Sequence, residues 1–178
     1  MKTLEEQMSF YAAYHQDARN KATHFVGVPV IILSLLIPLA WLRIPAGPIE
    51  LTAAMLFGGA VVAYYFVLDV PLASAMLVVT GALVWAGDLI ARQGSATGLA
   101  WFGVLFVGGW ALQLWGHVYE GRKPALADNL FQIFVAPIFL AAEVFFALGY
   151  KPRLRDAVEQ RARALRTAAV HAVERAAS

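Results

Sequence analysis

The chain contains no cysteine. That excludes disulfides, thiolate nucleophiles and thiolate-bound metals. Charge is also scarce. Asp, Glu, Lys and Arg make up 15% of the 178 residues, against about 25% in soluble domains. The opening stretch from Met1 to Lys21 holds Glu5, Glu6 and Asp17 but no early apolar run, so it does not read as a cleavable signal peptide. No segment shows the short polar–apolar alternation of a membrane barrel strand, and no internal repeat is visible. What the chain does have is apolar surface: 60% of residues are hydrophobic and mean hydropathy is +0.63. One small core cannot bury that much, so lipid must solvate the surplus. No nucleic-acid partner is expected.

The predicted fold class is all-α, a polytopic membrane helix bundle. Residues 4 to 19 carry Met8, Phe10, Tyr11 and Tyr14 among polar residues, the pattern of a short interfacial helix. Four apolar runs follow: Thr23–Leu42, Leu51–Leu68, Leu72–Ala91 and Gly98–Tyr119. A span needs about 20 residues at 1.5 Å each, so four full spans are predicted. A fifth run, Leu130–Tyr150, contains Pro137 and Glu143 and reads as a Pro-broken segment, re-entrant or buried in the bundle, with a full fifth span as the alternative. Small residues within the runs, among them Gly58, Gly81 and Gly109, permit close helix approach. Residues 1–150 form the membrane-embedded unit. Residues 151–178 form a basic amphipathic tail helix, with Leu154, Val158, Leu165, Ala169 and Val173 near one stripe.

Basic residues set the orientation. With four spans, Lys2, Arg19, Lys21, Arg122 and Lys123 share one side, and only Arg43 and Arg92 take the other. The first side is therefore read as cytoplasmic. The tail adds seven more: Lys151, Arg153, Arg155, Arg161, Arg163, Arg166 and Arg175. A re-entrant fifth segment keeps these on the same side. The expected location is an integral membrane protein of a bacterial inner membrane.

This topology has a consequence for the histidines. His24 starts the first span, His117 ends the fourth, and His15 lies just before the first. All three reach one membrane face. His15 and His24 are nine residues apart, about 900° around a straight helix, so they meet only if the helix breaks between them. Asn20 is the expected breaker and N-cap, and it shares a face with His24. Trp110, Gln113, His117 and Glu120 form one polar stripe on an otherwise apolar helix, and such a stripe should face the bundle interior. A single histidine near a headgroup layer is more often an interfacial residue, and His171 sits in the polar tail. Three converging imidazoles with a carboxylate and no thiol suit non-haem iron or zinc. Asn20, Gln113 and Asp17 are candidates to orient the ligands.

The same residues form two motifs. Tyr14-His15, Asn20, His24, Gly27 and Pro29 read Y-H-x4-N-x3-H-x2-G-x-P. Gln113, Gly116, His117, Glu120, Pro124 and Ala125 read Q-x2-G-H-x2-E-x3-P-A. Together they resemble the Mpo1-like family of membrane proteins over most of residues 8 to 150. The resemblance implies an iron(II)-dependent dioxygenase that removes one carbon from a 2-hydroxy long-chain fatty acid by α-oxidation. It implies Fe(2+) as cofactor, held by His15, His24 and His117, with Glu120, Asn20 and Gln113 as further functional positions. The partners it implies are the 2-hydroxy fatty acid, O2 and membrane lipid. A basic rim of Arg19, Lys21, Arg122 and Lys123 is a candidate to attract the substrate carboxylate. The residues by themselves leave two other readings open: a non-catalytic membrane carrier or lipid-binding scaffold, and a zinc-dependent membrane hydrolase.

Overall fold

A computed structural model describes residues 2–177, with the side chains of Ile49, Val170 and residues 172–177 outside the description. Val173 and Arg175 of the expected tail pattern lie outside it for that reason. The helix starts follow from capping chemistry. Thr3 opens α1 (Leu4–Ala12) as a capping box: its hydroxyl accepts from Glu6 N at 3.2 Å, and Glu6 accepts from Thr3 N at 3.0 Å. Asp17 caps α2 (Ala18–Leu39), accepting from Arg19 N at 2.8 Å. Thr52 caps α3 (Ala53–Leu68), and Asp69 caps α4 (Val70–Ala91), which has a proline in its first turn. Helix α5 (Ser95–Glu120) ends at Gly121, whose φ of 66° is left-handed and favours glycine. Helices α6 (Gln132–Ala147) and α7 (Pro152–Ala177) complete the chain.

The expected helical bundle is present, with differences in detail. Among the described residues, α2, α4 and α5 are long and apolar enough to cross a membrane, at 22, 22 and 26 residues. The run expected as a second full span begins as a strand. Arg43–Ala46 (β1) pairs antiparallel with Ile49–Thr52 (β2), leaving 16 residues, about 24 Å, for α3. Helix α6 is also 16 residues long and continues through Pro137, so the expected break is not at the proline. The irregular stretch before it, residues 121–131, supplies the turn back.

The two ends of the bundle differ. One carries the hairpin, where Arg43 pairs with Asp88 at 2.6 Å and Arg92 with Asp88 at 2.7 Å. The other carries α1, the start of α2, the end of α5 and the end of α6. Lys151, just past α6, pairs with Asp69 there, and Arg161 of α7 pairs with Glu6 at 3.3 Å. The fifth segment thus returns to the end it started from. Helix α7 packs on α1 with Val158 and Ala162 fully buried, while Leu165 stays exposed. The outer face of α5 exposes Val104, Val107, Leu114 and Val118, the pattern of a lipid-facing helix.

The most extensive packing is between α2 and α5. It depends on missing side chains. A Cβ at Gly116 would stand 2.1 Å from Thr23 Oγ1 and 2.5 Å from Asn20 Oδ1, and one at Gly109 would stand 2.6 Å from Ile31 Cγ1. Gly116→Ala is therefore expected to push the two helices apart where both carry a histidine. Overpacking of this kind costs about 1–3 kcal/mol. Thermal unfolding in detergent should report a lower midpoint than wild type.

Candidate metal centre

His15 sits in the short connection between α1 and α2, His24 on the second turn of α2, and His117 on the last turn of α5. All three are buried, at 2%, 4% and 6% exposure. Their ligand-capable nitrogens all lie within 4.8 Å of one another. Ring centroids are 4.4 Å apart for His15 and His24, 4.9 Å for His15 and His117, and 5.1 Å for His24 and His117. His15 Nε2 and His24 Nε2 are 3.1 Å apart. The helix break required between His15 and His24 is real. It lies at residues 13–17 with Asp17 as the cap, and Asn20 falls inside α2 instead.

Backbone oxygens fix two of the rings. His15 Nδ1 donates to Tyr11 O at 2.8 Å, and the Tyr11 ring stacks on His15 at 3.9 Å. His24 Nδ1 donates to Asn20 O, one helical turn back, at 2.8 Å. His117 Nδ1 has no hydrogen-bond partner. Burial pushes the pKa of His15 well below the usual imidazole range, and the neighbouring His24 adds to this, so His15 is neutral.

Glu120 does not join the three imidazoles. Its carboxylate turns instead to the connection that carries His15. Oε2 accepts from Gln16 N at 2.9 Å, Asp17 N at 2.8 Å and Asn20 Nδ2 at 3.2 Å. Oε1 pairs with Arg166 of α7. The Glu120 side chain is 1% exposed, so this is a buried charge with four donors around it. Asn20 also donates to Tyr14 O at 3.3 Å. Asp17 is ion-paired with Arg19 at 2.8 Å, which holds its carboxyl down at about 2.

A cavity of about 80 Å³ opens beside the histidines. Its walls include Tyr11, Gln113, Pro124, Ala125 and Gln132 together with the three rings. The second motif thus contributes Gln113, His117, Pro124 and Ala125 to one surface. Gln132 gave no sequence signal beyond being a polar residue at the start of an apolar run. Arg166 gave none, because it belongs to a tail read as separate. The expected basic rim lines no part of the cavity. Lys21 pairs with Glu143 at 2.9 Å, Lys123 with Asp128 at 2.5 Å, and Arg122 donates to Ala13 O at 3.3 Å. Like Arg19, each of these cations is committed to a partner of its own.

A family model described as 2-hydroxy-palmitic acid dioxygenase Mpo1-like matches residues 1–148. The Saccharomyces cerevisiae protein named 2-hydroxy-palmitic acid dioxygenase MPO1 is 36% identical over 160 residues, covering 88% of this chain and 87% of the yeast protein. No solved structure matches. With the histidine motifs gathered at one cavity and the match running over most of its length, the chain belongs to the Mpo1-like family.

Proposed function

We propose that the chain is a membrane-embedded dioxygenase that shortens a long-chain 2-hydroxy fatty acid by one carbon, with one iron(II) held by His15, His24 and His117. The observation that carries the metal is the 3.1 Å separation of two ring nitrogens. A carbonyl oxygen only accepts, so the proton on His15 and on His24 resides on Nδ1. Both Nε2 atoms are then bare lone pairs directed at each other. Such a pair repels unless a cation stands between them. A proton is a poor candidate, because burial disfavours the imidazolium. Two nitrogens about 2.1 Å from one ion stand about 3.0 Å apart when their bonds meet at a right angle, close to the observed spacing.

The donor set contains imidazoles and no thiolate, which suits zinc, copper, nickel or iron. Zinc has no redox chemistry, so a reaction that consumes O2 favours iron(II). Bound by these rings, iron(II) supplies the redox reactivity toward O2 that no side chain has. The substrate class comes from the name of the yeast relative. The chemistry balances with O2 as sole oxidant: the 2-hydroxy acid plus O2 gives the acid one carbon shorter, CO2 and water. The chain's own part is positional. The carbonyls of Tyr11 and Asn20 hold two rings in the tautomer that ligates. Glu120 and Asn20 act as positioning residues for the connection bearing His15, and Gln113 faces the cavity. Residues 1–150 carry every group in this reading, and 151–178 is an appended basic tail. Lys2, Arg19, Lys21, Arg122 and Lys123 mark the histidine end as cytoplasmic, which in a bacterium is the inner face of the inner membrane.

The test is anaerobic purification followed by elemental analysis and oxygen uptake. The expected result is near-stoichiometric iron, with O2 consumption on adding 2-hydroxypalmitic acid and a product one carbon shorter. Zinc in place of iron, with no oxygen uptake, would overturn the reading.

A further inference from the structure

Four residues, Val28, Ile32, Leu35 and Ile133, line the histidine cavity and also a second, larger one. The second cavity measures about 440 Å³ and lies between α2, α3, α4 and α6. Its walls are apolar apart from Thr80 and Tyr65, and the Tyr65 hydroxyl already donates to Phe134 O at 2.7 Å. Phe25, Phe57 and Val144 on its rim are exposed on the outside of the bundle. The small chamber at the histidines therefore adjoins, through these shared wall residues, a large apolar one whose rim reaches the outer face of the bundle.

Two amides stand in the histidine chamber. Gln113 is 5% exposed and Gln132 is 3% exposed, and the carbonyl oxygen of each is buried with no hydrogen-bond partner. Unpartnered buried amides are rare and costly. They come from different helices, α5 and α6, and Gln132 directly precedes the shared wall residue Ile133. An amide offers one acceptor and two donors on a single group. A 2-hydroxy acid offers the complement: a hydroxyl that donates and a carboxylate that accepts.

We propose that Gln132 and Gln113 seat the 2-hydroxy carboxylate head of the substrate, and that the cavity between α2, α3, α4 and α6 holds its acyl chain. This rests on the fatty-acid reading above. The Gln132 amide oxygen receives the substrate hydroxyl, and the amide nitrogens donate to its carboxylate. The unhydroxylated acid leaves an oxygen unpaired and is rejected. The chain enters sideways from the bilayer past Phe25 and Phe57 and never crosses water.

The test measures anaerobic binding of 2-hydroxypalmitic acid and palmitic acid to the purified full-length protein, with Gln132→Leu and Ala141→Trp beside wild type. Wild type is expected to prefer the hydroxy acid by about tenfold or more, and Gln132→Leu to lose that preference. The ligand-free stability of Gln132→Leu should be equal or higher, because an unpartnered polar group is removed; a residue with only a structural role would give the reverse. Ala141→Trp narrows the apolar cavity and should shift the best-bound 2-hydroxy acid to a shorter chain. If wild type binds the hydroxy acid while neither variant changes preference, the seat is wrong and the function stands. If wild type binds no 2-hydroxy acid at all, both fail.

Discussion

Purified His24→Ala is expected to hold less than about a tenth of the wild-type metal and to show no oxygen uptake on a 2-hydroxy fatty acid. Losing a group that merely orients a ligand costs about 10–100-fold in metal affinity, and losing the ligand itself costs more. His24 is also half of the opposed nitrogen pair at 3.1 Å. Without metal that pair is repulsive, so His24→Ala should relieve it. With a chelator present, the variant should therefore unfold at the same temperature as wild type or above it. Without chelator the order reverses, because bound metal stabilises only the protein that binds it. His171→Ala, on α7 and outside the histidine group, should keep its metal in both conditions. A His24→Ala protein with a full complement of iron would remove the basis for the centre.

The three histidines could be foreseen because crossing helices alternate ends, so residues at the start of one span and the end of a later one must meet the same face. The long apolar runs were legible for the same reason: in lipid the backbone has to bond internally, so a run of that length is a helix. What was not legible depends on contacts between distant segments. Asn20 and Asp17 are equally good caps by residue type; the cap falls at Asp17, whose backbone N–H is held by the distant Glu120 carboxylate. Pro137 removes one helical hydrogen bond, yet α6 continues through it, because a buried helix keeps its remaining bonds and its packing. The re-entry came from residues 121–131, where no single residue marks it. Glu120 lies on the polar stripe with His117, as the spacing required, but its oxygens serve two backbone amides about a hundred residues earlier. No periodicity encodes that. The tail's apolar stripe is visible in the sequence, but its partner is not. Pairing Val158 and Ala162 with α1 needs the partner helix to be in view.

Glu120→Ala is expected to destabilise the protein by about 3–5 kcal/mol and to lower metal content with it. The loss is large because the charge is buried and four donors depend on it: Gln16 N, Asp17 N, Asn20 Nδ2 and Arg166. Removing one partner of a buried charged network leaves the others desolvated and unpaired, which costs about 3–5 kcal/mol. Metal content follows because Gln16 and Asp17 are the residues just after His15, and freeing them frees the ligand. Glu120→Gln keeps the shape but presents an NH2 group to a site made of donors, so one side of the clamp is lost and the effect is intermediate. Arg166→Ala removes a single donor whose side chain is 36% exposed, so the three remaining bonds hold the connection and about 1 kcal/mol is expected. The predicted order of lost stability and lost metal is therefore Glu120→Ala, then Glu120→Gln, then Arg166→Ala, read by thermal unfolding and elemental analysis on the same preparations. If Glu120→Ala keeps wild-type metal while losing stability, the carboxylate braces the fold without positioning His15. If Arg166→Ala loses as much metal as Glu120→Ala, the appended helix α7 is part of what holds the centre together.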